Sequence, residues 1–197
     1  PKDLINLPNC FQQTALHCAI FEGNLEMVTY LLKKGANAGV ADINGETPLH
    51  VAVKKGNFEI AKLLLEHIVK AGEIKDKDNN IISPEDIINH WDNTDTTPLH
   101  LVGSVAMFEL LLNMGANPNI TDKAGLSVRD IISNNHHYYT FDARKALEAW
   151  DQKWRSEIKI PITNFSTAGN PNVAGNSQVE VDTEVAGVEP MDISAPE

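Results

Sequence analysis

The phrase Thr14-Ala15-Leu16-His17-Cys18-Ala19 returns 33 residues later as Thr47-Pro48-Leu49-His50-Val51-Ala52, and again as Thr97-Pro98-Leu99-His100-Leu101-Val102. A looser copy reads Ser127-Val128-Arg129-Asp130-Ile131-Ile132. Behind the first two copies stand Gly23-Asn24-Leu25-Glu26-Met27-Val28 and Gly56-Asn57-Phe58-Glu59-Ile60-Ala61. A third phrase, Tyr30-Leu31-Leu32-Lys33-Lys34-Gly35-Ala36-Asn37, is echoed by Leu110-Leu111-Leu112-Asn113-Met114-Gly115-Ala116-Asn117. Self-similarity at such a period marks a repeat architecture, because a unit of this size cannot bury its apolar face alone.

Each phrase has a local physical meaning. Thr or Ser is a helix N-cap, and Pro48 and Pro98 follow it at the first helical position, where no N–H is missed. Leu and Ala further in form the apolar stripe of a short helix. Gly23 and Gly56 end that helix in the left-handed region and let the chain reverse. A second helix carries Leu31-Leu32 or Leu63-Leu64-Leu65 inward, and Asp42-Ile43-Asn44-Gly45 or Asp122-Lys123-Ala124-Gly125 then turns the chain sharply. Helix, turn, helix, hairpin at period 33 with a Thr-Pro-Leu-His phrase resembles the ankyrin repeat, over about residues 9–155. The resemblance implies an all-α solenoid.

The copies are not uniform. Thr47 to Ser83 is 36 residues, because Glu66–Gly72 prolongs the second helix by nearly a turn. The copy at Ser83-Pro84-Glu85-Asp86-Ile87-Ile88 keeps the cap and its proline but is only 14 residues from Thr97. It has either lost its second helix or is an insertion carrying one helix. Thr97 to Gly115 is 18 residues where Thr14 to Gly35 is 21. Phe141–Trp150 reads as a capping helix. The expected organisation is a repeat domain over 1–158, with units near 9–41, 42–77, 78–91 (truncated), 92–121 and 122–155 (capping), followed by a disordered acidic tail over 159–197. That tail carries a net charge of −5 and only one aromatic residue, Phe165, and shows no helical period.

Charge and composition restrict the function. The chain carries −11 overall, which opposes nonspecific binding to nucleic acid or anionic membrane. No apolar stretch is long enough to span a bilayer, and no apolar region follows Pro1-Lys2-Asp3 as a secretory leader would require. Two cysteines, Cys10 and Cys18, form no disulfide framework, so a reducing, cytoplasmic home is expected.

Residues able to do chemistry have structural readings. In the ankyrin pattern His17, His50 and His100 bond neighbouring hairpin backbone. Cys10, His17 and Cys18 lack a fourth metal ligand, and Cys18 falls where a buried thiol is expected. His136-His137-Tyr138-Tyr139 reads as a surface turn, since adjacent side chains in extended backbone point apart. No phosphate-cradling glycine loop or nucleophile elbow is recognisable. The expectation is a non-enzyme with no cofactor and no metal.

What the resemblance implies is protein binding by a monomer through the concave face of inner helices and hairpin tips. The ankyrin pattern assigns to that face Phe11, Gln13, Phe21 and Glu22 in the first unit. The second contributes Ile43, Asn44, Glu46, Lys54 and Lys55, and the irregular segment Asn79, Asn80, Ile82, His90 and Trp91. The last hairpin adds Lys123, Ala124 and Leu126. Trp91 reads either as a binding anchor or as filler for the gap left by the missing helix. Irregular, Asn/Ile/Lys-rich repeats lean toward a microbial effector acting in host cytosol; the alternative is a regulatory or inhibitory domain of a larger protein or a transcription-factor pathway.

Overall fold

The computed structural model describes residues 2–72, 74–75, 80–134 and 141–158. The expected tail at 159–197, Asn79 and the His136-His137-Tyr138-Tyr139 turn lie outside the described residues. One compact unit spans Pro1–Ile162; the second, Thr163–Glu197, also lies outside them.

A 3-10 turn, Lys2–Asn6, precedes α1 (Ala15–Phe21) and α2 (Leu25–Lys33). Then come α3 (Pro48–Lys54) and α4 (Phe58–Ala71), a ribbon of β1 (Ile74–Lys75) and β2 (Ile81–Ile82), and α5 (Pro84–Ile88). A second 3-10 turn, Pro98–Leu101, leads to α6 (Val105–Asn113), α7 (Val128–Asn134) and α8 (Phe141–Ile158). Helices dominate, as the repeat phrases require. The antiparallel ribbon, with Ile74 opposite Ile82, is a small addition that the sequence reading did not contain.

Each first helix begins at a capping box closed three residues later. Histidine closes it at Thr14, Thr47 and Thr97, and aspartate at Ser83. Ser127 and Asp130 bond each other in the same way. The third helical start therefore uses Asp86 where its relatives use histidine. The Thr97 copy forms one 3-10 turn rather than an α-helix. Its unit is three residues short, and Val102 already returns to extended backbone.

The first helices stack in one layer, α1 on α3 and α3 on the Pro98–Leu101 turn, while α2 packs against α4 in a second layer. Leu16, Ile20, Leu49, Leu64, Leu65 and Phe108 are fully buried between the layers. At one end α8 closes on α6 and α7, and Arg129 on α7 holds Asp151 on α8 through two hydrogen bonds of 2.8 and 2.5 Å.

The irregular segment interrupts the succession of hairpins while its helix stays in the core, with Ile87 and Ile88 buried and Asn89 bonded to Gly115 and Asn117. Among the described residues, 80–91 supply a helix, α5, packed on α4, and no stacking hairpin. The hairpin that follows Asp42–Glu46 is Asp92–Thr96: the Asn93 N–H donates to the Asn44 carbonyl at 2.9 Å. Ile82 and Ile74 meanwhile fill the notch at Gly39, where an added Cβ would lie 2.8 and 3.0 Å from them. Gly45 is required twice over at the hairpin junction. Its φ is +76°, and a Cβ there would meet the Asn93 nitrogen at 2.8 Å.

Leu49 is fully buried where α3 meets both neighbours. Leu49→Ala is expected to cost about 2–5 kcal/mol by lost transfer energy plus the cavity left behind. Urea unfolding checks it, and a loss below about 1 kcal/mol would contradict this packing.

Candidate binding face

Four hairpins are built the same way. Asn9, Asp42, Asp92 and Asp122 each accept, on one side-chain oxygen, the N–H groups two and four residues on, at 2.8–3.0 Å. These bonds hold the turn tips, Phe11, Ile43-Asn44, Thr94 and Lys123-Ala124, in fixed positions. The Ile43 N–H then donates to the Phe11 carbonyl at 3.0 Å, tying the first tip to the second.

Histidine sets the spacing behind the tips. The Nδ1 atom of His17 accepts the Thr14 N–H at 3.2 Å and lies 2.9 Å from the Thr14 hydroxyl. The proton must then sit on Nε2, which donates to the Glu46 carbonyl at 3.2 Å. His50 repeats this with Thr47 and, across 46 residues, with the Thr96 carbonyl at 3.3 Å. His100 keeps the bond to Thr97, but its Nε2 has no acceptor in hydrogen-bond geometry among the described residues. Burial pushes the His50 imidazole down to about 4, against the pull of the Thr96 carbonyl, and lowers His17, His90 and His100 in the same direction.

Six of the residues assigned to the face from sequence come together. Phe11, Gln13, Phe21, Glu22, Ile43 and Asn44 line one open depression of about 370 Å³ with Cys18. Phe11, Phe21 and Ile43 are 59%, 57% and 51% exposed, large apolar side chains held in water by a rigid frame. Gln13 is braced by Asp42 at 3.4 Å. Lys55 lies over the Phe21 ring, 3.5 Å from its centroid. Lys54 is paired instead with Glu46 at 2.6 Å, a bond that raises its pKa.

The other assigned residues lie elsewhere. Asn80 and Ile82 belong to the excursion, where Ile82 packs beside Gly39. Lys123 and Leu126 are exposed on the Asp122 hairpin. Trp91 precedes the Asp92 hairpin rather than tipping it and is half-buried. Its indole nitrogen and the His90 Nδ1 are shut from solvent without partners among the described residues, and His90 stands edge-on to His50 at 6.1 Å.

Cys18 corrects the sequence reading: it is exposed, as is Cys10. The buried stripe of α1 is Leu16, Ala19 and Ile20, and position 18 points off it. Its counterpart Val51 is buried because units flank it on both sides. A second cleft, of about 380 Å³, opens between α4, α5, the end of α6 and α8, lined in part by Val69, Ile88, Met114 and Trp150. The signal for it was the misfit in repeat length between Thr47 and Thr97.

Stacked helix pairs with hydrogen-bonded hairpins define a helical repeat solenoid. The family model described as ankyrin repeats (3 copies) matches residues 2–78, and that of the single ankyrin repeat matches 94–123. The chain belongs to the ankyrin-repeat family, whose members are in general protein-interaction modules. Among curated proteins, none matches the chain. No helix among the described residues is long and apolar enough to cross a membrane.

The buried histidines set a pH dependence. An imidazole whose folded pKa lies below its ordinary 6.5 lets the unfolded chain bind protons first as pH falls. Stability is thus full above about pH 6.5 and declines toward pH 4, by roughly 3 kcal/mol for His50 alone. The melting temperature is expected to fall between pH 6.5 and 5, above the carboxylate range, and an unchanged value there would contradict the neutral bridging ring.

Proposed function

We propose that the chain is a noncatalytic binder that captures a partner protein through the depression at Phe11, Phe21 and Ile43. The observation that carries this reading is the convergence of three exposed apolar side chains, from two hairpin tips and one helix, on a backbone fixed by side-chain and histidine bonds. Such preorganised apolar surface lowers the ordering cost of association. Lys55, Glu22 and Gln13 supply a polar rim, the arrangement expected around an energetic centre. In this reading the Asp122 hairpin, with Lys123 and Leu126, is an outlying part of the same face, and Trp91 fills space beside His90 rather than anchoring a partner.

The remaining parts of the proposal rest on composition and family. The protein acts as a monomer without cofactor, in the cytosol, where two exposed unpaired thiols are stable. The net acidic charge supports a protein partner over nucleic acid. A microbial effector working in a host cell and a regulatory inhibitor would both use this face; the identity of the captured partner separates them.

Affinity capture compares the natural chain with Phe21→Ala and Ile43→Ala. Each substitution is expected to weaken a genuine partner by roughly tenfold or more while leaving the melting temperature nearly unchanged. Trp91→Ala is expected to do the reverse. Unaltered partner binding by both face variants, still folded, would exclude the depression.

A further inference from the structure

The end of the stack at the first unit carries the features of an internal junction. Met27 on α2 is 46% exposed, whereas its counterparts Ile60 on α4 and Met107 on α6 are 3% and 2% exposed. Tyr30 and Leu25 are likewise exposed, while their counterparts, Leu63 and Leu110 for the one, Phe58 and Val105 for the other, pack against the core. The first unit has its following neighbour in place, since α1 meets α3 and α2 meets α4. What distinguishes it from the second is the preceding neighbour, of which it has only the Lys2–Asn6 turn, with Ile5 packed against the core and the Asn6 side-chain oxygen accepting the Asn37 N–H at 2.8 Å. A unit that ends a solenoid normally turns a polar face outward; this one turns out Leu, Met and Tyr.

The backbone agrees. The second and third hairpins each receive two bonds from the unit before them, whereas the Asp122 hairpin shows neither among the described residues. A carbonyl of the previous tip accepts the N–H of Ile43 or Asn93, and a histidine ring of the previous unit donates to the carbonyl of Glu46 or Thr96. The corresponding groups of the first hairpin are the Cys10 N–H and the Gln13 carbonyl. Among the described residues the Cys10 N–H has no acceptor, and the Gln13 carbonyl receives only the N–H of Asn9 from its own hairpin.

We propose that this face is the stacking interface for one further ankyrin-type helix pair, joined ahead of Pro1 in the same polypeptide. Its second helix covers Met27 and Tyr30, its tip carbonyl accepts the Cys10 N–H, and its capping histidine donates to the Gln13 carbonyl. The surface continues an interface already used between the first and second units. A second copy of the chain does not fit that stacking, because the end it would have to present is closed by α8 on α6 and α7.

The test joins a copy of residues 9–33 directly ahead of Pro1, which places its hairpin 33 residues before Asn9. The expected result is a single melting transition several degrees above that of the natural chain. Met27→Glu with Tyr30→Glu is expected to abolish this gain yet leave the natural chain's melting temperature unaltered, because both side chains are exposed there. No gain on fusion, or a gain indifferent to those substitutions, overturns the proposal. So does sedimentation of the natural chain as a dimer that the same substitutions dissociate, since a second copy would then be the occupant.

Discussion

The neutral imidazole between one unit's helix cap and the next unit's hairpin is the interaction on which the arrangement rests. It has two ends with opposite demands. Nδ1 must accept, because a backbone N–H points at it, and Nε2 must donate, because a carbonyl faces it. Only one tautomer of one protonation state satisfies both. Apolar burial between helices is non-directional and would tolerate sliding; these bonds fix how far the Asp42 and Asp92 hairpins stand from the helices behind them. Where histidine is replaced by Asp86 or Asp130, the cap survives but the cross-unit bond cannot form, because a carboxylate offers no donor to a carbonyl. Those two helices are also the ones that open no regular unit.

The repeat phrases made the helices, turns and caps legible, because capping, helical period and left-handed glycine are local rules acting within one unit. The six residues that converge on the depression were legible for the same reason. The pattern fixes which positions face the tips, and Phe11, Phe21 and Ile43 obey it. What escaped depended on neighbours. Cys18 looks like Val51 in the phrase, and only the absence of a flanking unit makes it exposed. The repeat-like phrase over 78–91 puts Trp91 and Ile82 on the face by pattern alone. Their location was decided instead by which hairpin His50 reached, a pairing across 46 residues that no local phrase encodes.

The depression owes its character to a division of labour along each unit. Polar side chains of the hairpins are consumed internally by their own backbone, leaving the tips' outward positions free of structural duty. The two lysines that the repeat pattern puts on the face are engaged as well, Lys54 by Glu46 and Lys55 by the Phe21 ring. The surface is therefore less cationic, and its apolar part more prominent, than the letters imply.

The excursion between Gly72 and Trp91 has an evolutionary consequence. Bonds between successive hairpins are blind to the path the chain takes from one to the next, so a lineage can lengthen, shorten or rewrite that path without breaking those bonds. Loop-closure entropy charges only about 0.6 kcal/mol for each doubling of such a path. Here the added text has acquired its own capped helix and a pair of isoleucines that nest at Gly39. The family's period is thus a rule about where hairpins meet in space, and sequence length between them is raw material for novelty.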